Sequence, residues 1–271
     1  MNRTSPVVFN LLIINVLLFA ATYFWRSGNN PLMEYLALYY PESSSFRPYQ
    51  FITHMFMHGG FSHILFNMYA LWMFGTAIES VWGGKRFLFY YFFTGLGAAA
   101  LHTFVNYLVF RGINAEIVAF GNTPSPELFR QFIESHAEKG FSGQFLAICN
   151  NLFSIWSDAP GNTSYAHSAL ELMRRIADRL MDIPTVGASG AIFGLLLAFG
   201  MMYPNTRLMI IFLPIAIKAK WFVLIYGAIE LFLGFSQPGS SFAHFAHIGG
   251  MLFGYLLIRF WIYKAKKNRY G

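Results

Sequence analysis

A polar side chain inside a long apolar helix costs free energy, so serine, histidine or asparagine in such a run marks a candidate site. Three runs of this 271-residue chain carry them. One reads Gly187-Ala188-Ser189-Gly190, and a second His244-Phe245-Ala246-His247-Ile248-Gly249-Gly250. The third is His58-Gly59-Gly60-Phe61-Ser62-His63, with Asn67 four residues on. A serine hydroxyl becomes a nucleophile when a neutral imidazole takes its proton, and Ser189 and His247 are of the types for that pair. The acyl-transfer intermediate then puts negative charge on an oxygen, which needs preorganised donors. His63 and Asn67 share one helical face and can supply two of them. Ser189, in the first turns of its helix, stands among free backbone N–H groups at the positive end of the helix dipole. Glu79 reads as the inner end of one helix and Glu230 as deep in another, so a dyad rather than a triad is implied. Without a carboxylate beside them, His244 and His247 are not expected to hold a metal despite their spacing. His244 and His54 read as polar groups satisfied at the membrane surface, and His102 as bonded to a neighbouring helix.

The elements that must position these residues are membrane helices. Hydrophobic residues make up 56% of the chain and charged ones 11%, against about 25% charged in a soluble domain. A lone cysteine, Cys149, excludes an intramolecular disulfide. Six stretches approach the ~20 apolar residues that a span needs: 7–25, 60–80, 87–109, 184–203, 219–235 and 242–262. The apolar, Pro-interrupted piece 208–217 is expected at the interface. The reading is an all-α polytopic membrane protein. Ser189 and His247 each fall about five residues into their spans, roughly 8 Å deep at ~1.5 Å per residue, and His63 and Asn67 enter from the same side. The pairs Gly190/Gly194 and Gly250/Gly254 have the small-xxx-small spacing that lets backbones approach. Close contact of the fourth and sixth spans would bring Ser189 to His247.

Charge sets the orientation. With the N-terminus in the cytoplasm, Arg3, Lys85, Arg86, Arg207, Lys218, Lys220, Arg259, Lys264, Lys266, Lys267 and Arg269 fall at the inner side. Arg26 and Arg47 alone fall in the short outer loops, a strong positive-inside bias. The net charge of +7 is thus assigned to the inner face and anionic lipid headgroups, with no nucleic acid as partner. Both termini are expected in the cytoplasm of a cell whose inner membrane holds the chain. Residues 111–183 carry six Lys or Arg against eight acids and read as an extramembrane helical insertion on the outer face. In it, Ser125-Pro126-Glu127 reads as a helix start. Residues 165–182 place Leu170, Met173, Ala177 and Leu180 on one face. The apolar stretch 145–156 is too short to span.

These motifs resemble the rhomboid intramembrane proteases, over roughly 7–109 and 184–262. Gly187-Ala188-Ser189-Gly190 is similar to that family's GxSG nucleophile motif, and His247-x-x-Gly250-x-x-x-Gly254 to its sixth-helix base motif. His63-x-x-x-Asn67 is similar to its oxyanion pair, with His58 at the upstream spacing, and Gly75-x-x-x-Glu79-x-x-x-Gly83 matches a pattern whose Glu is structural. The resemblance implies a six-transmembrane-helix bundle and a serine endopeptidase using Ser189 and His247. Its substrates would be single-pass membrane proteins, and no cofactor is implied. It makes Phe235–Phe242 a lid and the fifth helix a lateral gate. It puts Phe193 where the family often has a Tyr stacked under the base. The Trp-Arg pair of the first outer loop is absent here, with Phe46-Arg47 a partial echo. The resemblance does not cover the insertion.

Two other function classes fit parts of the pattern. A catalytically silent, rhomboid-like protein would bind transmembrane clients without cutting them, but such members generally lack the Ser or the His that this chain keeps. A small transporter would spread polar residues through all depths, whereas here they gather in the outer third, with Glu230 the main exception. The sequence leaves the oligomeric state open.

Overall fold

The computed structural model describes residues 5–25, 30–137, 141–210, 213–236 and 243–270. In chain order the longer helices are α1 (Pro6–Phe24), α2 (Phe61–Trp82), α3 (Gly84–Asn122), α4 (Pro126–His136), α5 (Gly143–Asp158), α6 (Thr163–Met181), α7 (Ser189–Met202), α8 (Ala219–Ser236) and α9 (His244–Tyr270). Two antiparallel strands, β1 (Arg207–Ile210) and β2 (Leu213–Lys218), lie between α7 and α8. The chain forms two compact units, one of residues 1–38, 45–104 and 184–271, the other of 39–44 and 105–183.

In the first unit, α1, α2, α3, α8 and α9 are long and apolar enough to cross a membrane. The protein is an all-α polytopic membrane bundle. Expectation and structure part at the fourth span. Helix α7 holds only 14 residues, roughly 21 Å at ~1.5 Å each, against a hydrocarbon core of ~30 Å. Ten of those residues are buried, so α7 is apolar all round because other helices surround it. Residues 184–188 stay outside the helix, tied down by distant partners. Thr185 exchanges two backbone hydrogen bonds with Leu38, at 2.8 and 3.0 Å, and Gly187 N–H donates to the His54 carbonyl at 2.9 Å.

Glycines set the packing around α7. A Cβ on Gly250 of α9 would strike the Gly190 carbonyl, which is the close approach expected of these two helices. The other glycines face elsewhere. Gly190 lies against Ala98 and Gly194 against Thr94, while Gly254 abuts Tyr90, all three partners on α3. The Tyr90 hydroxyl also donates to the Gly194 carbonyl at 2.8 Å. Helix α3 thus holds α7 and α9 together from behind, a role that the paired spacing of glycines did not disclose.

Glu79, 5% exposed, accepts from Val7 N–H at 3.1 Å and Val8 N–H at 2.9 Å. A carboxylate there satisfies two of the free donors that begin α1 and opposes the positive end of its dipole. Within the piece 208–217, β1 and β2 pair as an antiparallel ribbon, with Leu208 opposite Ile217 and Met209 opposite Ala216. Pro214 is tolerated because each strand of a two-stranded ribbon is an edge.

The second unit has its own core, built by Ile117, Phe120, Phe129, Trp156, Met173 and Ile176 among others. Its helices start where the sequence caps them. Ser125 Oγ accepts from Leu128 N–H and Ser142 Oγ from Phe145 N–H, both at 3.2 Å. Helix α6 buries Ala169, Met173, Ile176 and Ala177, so its inner face is rotated from the expected one and leaves Leu170 and Leu180 at the margin. The stretch 145–156 lies in α5 and turns Cys149, Leu152 and Trp156 inward. Helix α3 continues unbroken to Asn122, so the insertion expected from 111 begins inside a helix.

Candidate active site

Ser189 is the first residue of α7, with Ala188 at the cap. The first intrahelical bond is Ile192 N–H to the Ala188 carbonyl at 3.0 Å. The amides before it have no intrahelical acceptor and are free for an anion. Gly187, just upstream, has φ +125°, a region that L side chains rarely enter. Space forbids a side chain there as well, since a Cβ would lie 2.8 Å from His63 Nε2 and 3.6 Å from Ser189 Oγ. This glycine lets the backbone turn and keeps the volume beside the serine open.

His247 stands in the first turn of α9, its Nε2 at 2.8 Å from Ser189 Oγ. Phe193, one turn below Ser189, lies parallel to the imidazole with centroids 4.2 Å apart and planes 6° from coplanar. On the opposite edge, His247 Nδ1 is 2.9 Å from Glu230 Oε2, and His244 Nδ1 is 2.7 Å from the same oxygen. The expected absence of a carboxylate from this layer is therefore corrected. Glu230 is 5% exposed and bonded to the candidate base. His244, 7% exposed, is a buried partner of that carboxylate.

The ligand atoms of Glu230, His244 and His247 lie within 4.8 Å of one another, so the ground for dismissing a metal there falls away too. Donation of both Nδ1–H groups to Oε2 would join the three side chains without a cation.

His63 Nδ1 accepts from Gly59 N–H at 3.4 Å, a long bond that leaves the ring proton on Nε2. That is the nitrogen facing Gly187. Asn67, 6% exposed, gives one amide hydrogen to the His63 carbonyl at 2.9 Å and keeps a second. His58 lies edge-on to His63, with centroids 5.2 Å apart. His54 is 5% exposed, its Nδ1 at 2.9 Å from the Gln50 carbonyl. His102 Nε2 pairs with Thr185 Oγ1 at 3.0 Å, on the segment leading into α7 rather than on a helix. Of the expected lid, Phe235 and Ser236 close α8, and 237–242 lie outside the described residues.

Arranged so, a hydroxyl facing an imidazole nitrogen, beside free amides and side-chain donors, has the groups that acyl transfer needs. Comparison with known proteins points the same way. The Rhomboid domain model matches residues 45–122 and 141–264. The match runs into the insertion, which the motifs alone did not cover, and leaves out 123–140. The mitochondrial rhomboid protein 1 of Saccharomyces cerevisiae is 24% identical over 98% of this chain and 57% of its own length. The rhomboid protease GlpG of Klebsiella pneumoniae is 31% identical over 31% of the chain and 30% of its own length. Its counterpart in Salmonella choleraesuis is 31% identical over 32% of the chain and 30% of that protein. The chain thus spans between about a third and somewhat over half of the curated relatives it matches. With three quarters of its residues inside the matched segments, the chain belongs to the rhomboid family.

Proposed function

We propose that this rhomboid is an intramembrane serine endopeptidase that cuts single-pass transmembrane proteins in or near their membrane segment. The observation that carries the reading is the 2.8 Å approach of Ser189 Oγ to His247 Nε2 at the start of a buried helix. Ser189 Oγ attacks the scissile carbonyl as His247 Nε2 takes its proton. The oxyanion is met by the first amides of α7, with His63 Nε2–H and the free Asn67 amide hydrogen as side-chain donors. His247 returns the proton to the leaving amine. It then takes one from water, which attacks the acyl-enzyme and restores Ser189. Gly187, Gly190, Gly250 and Gly254 support the site by letting backbone and helices approach, and Phe193 supports the ring of the base. No cofactor enters the scheme. The basic inner-side residues support an orientation with both termini in the cytoplasm and the site toward the outer leaflet of the cell membrane.

The test uses purified full chain in detergent or liposomes with a generic single-pass transmembrane substrate. Wild type is expected to cleave, and Ser189→Ala and His247→Ala to lose cleavage while remaining folded. A folded wild type that cleaves none of several substrates would favour a client-binding protein. Cleavage that survives in Ser189→Ala would place the chemistry elsewhere.

A further inference from the structure

We propose that Glu230 is a positioning residue for His247, its shared carboxylate oxygen holding the imidazole in the one tautomer and rotation that serve Ser189. The inference rests on the protease reading of this site and adds a third member that the sequence motifs do not contain.

An ionised carboxylate only accepts hydrogen bonds. With Oε2 at 2.9 Å from His247 Nδ1 and 2.7 Å from His244 Nδ1, both Nδ1 atoms carry the proton. A neutral imidazole has one N–H, so His247 Nε2 is bare, and it is the atom 2.8 Å from Ser189 Oγ. The other tautomer would put a proton on Nε2 and leave the ring unable to take one from the serine.

Phe193 cannot make this choice. Its face, 4.2 Å below the ring and parallel to it, keeps the imidazole plane but leaves the ring free to turn within that plane. A bond at Nδ1 stops that turn. When Nε2 receives the serine proton, the imidazolium forms beside the carboxylate, so the same contact favours the charged state of the reaction. His244 completes the arrangement, because a carboxylate in an apolar helix is costly unless paired and hydrogen-bonded.

A bland role competes with this one. Glu230 joins α8 to the first turn of α9 and could serve as a tie between helices. The two roles separate in Glu230→Gln, which keeps the size and one acceptor oxygen, and in Glu230→Ala. The full chain, labelled with ¹⁵N-histidine in detergent micelles, is compared with both variants for kcat, KM, thermal midpoint and imidazole nitrogen shifts. The wild-type spectrum, with His247 assigned by its loss in His247→Ala, is expected to show Nδ1 protonated and Nε2 bare. Glu230→Gln is expected to populate the Nε2–H form and to lower kcat about 10²-fold with KM little changed; loss of an orienting carboxylate has cost as much as ~10⁴-fold in a soluble serine protease.

Wild-type kcat in Glu230→Gln would overturn the inference and leave the protease reading intact. A kcat loss that follows the thermal midpoint, with the tautomer unmoved, would overturn it in favour of the tie. Activity removed by EDTA and restored by a divalent cation, in wild type but not in Glu230→Gln, would make the three groups a metal site and overturn it also. Should wild type cleave nothing, Ser189→Ala with and without Glu230→Gln still reads the tautomer, so the two proposals fail separately.

Discussion

His247 is held on its face by Phe193, at its outer edge by Glu230 and at its inner edge by Ser189. The face contact can be weighed alone. Phe193→Leu keeps an apolar residue of similar volume at a 5% exposed position, and such swaps usually cost under about 1.5 kcal/mol of stability. It removes a ring stack worth about 0.5–1.5 kcal/mol. If the stack orients the base, kcat should fall between about two- and tenfold, since ~1.4 kcal/mol is a factor of ten. Unchanged kcat in a folded Phe193→Leu would show that the other two contacts suffice. Most of this residue-level picture was legible in the sequence, because a polar side chain in an apolar run declares itself. Glu230 was the exception, read as deep in its helix. It lies six residues before the end of α8 at Ser236, a depth of roughly 9 Å at ~1.5 Å per residue, close to that of the serine and the base. Measuring from the C-terminal end of the helix would have found it. What no spacing reveals is that its oxygen reaches two imidazoles of the next helix.

At the scale of elements, the approach of α7 to α9 decides whether serine and histidine meet at all. Gly250 presents no side chain where the Gly190 carbonyl passes, and a methyl group there would collide with that oxygen. Backbone cannot swing aside as a flexible side chain can, so Gly250→Ala must part the two helices. Overpacking of this kind costs about 1–3 kcal/mol. The thermal midpoint in detergent should drop, and cleavage should fall further than the loss of folded protein explains, because the Ser189–His247 contact is what separates. Gly112 supplies the opposite sign. It is exposed within α3 and a Cβ would meet nothing within 4 Å, so Gly112→Ala should keep full activity and gain up to about 1 kcal/mol from helix propensity. Cleavage at the wild-type rate by Gly250→Ala would mean that the helices tolerate separation. The helix starts at Pro6, Phe61 and Ala219 were legible because apolar runs begin there. The start of α7 was not, since Pro184 reads as a helix opening and no charged residue separates it from Ser189. The extended course of 184–188 comes from Leu38 and His54, about 150 and 130 residues away in the chain. The ribbon formed by β1 and β2 was not legible either, as Pro214 interrupts the apolar run.

At the scale of the molecule, the two units draw on different forces. The first is a bundle whose helices expose apolar side chains such as Phe9, Leu224 and Phe260 outward, as a lipid environment requires. The second has a core of its own, with apolar side chains inside and charged pairs such as Arg130–Glu134 at 2.7 Å on its surface. One of its helix starts was legible from Ser125-Pro126-Glu127, where the expected cap forms. Its first boundary was not, because α3 passes from one unit to the other without a break that composition could mark. Cys149 makes the difference measurable. It is fully buried in the second unit's core, and burial pushes its thiol above the ordinary value, so the reactive thiolate is scarce as well as inaccessible. A maleimide should therefore leave the native protein almost unlabelled at neutral pH. Urea weakens burial in water and exposes the core of the second unit, whereas the first unit stays embedded in its detergent or bilayer. Cys149 labelling should rise at a lower urea concentration than the one that ends cleavage of a transmembrane substrate. Coincident midpoints would mean that the two units unfold as one, and that the insertion belongs to the stability of the membrane bundle rather than to a domain with its own.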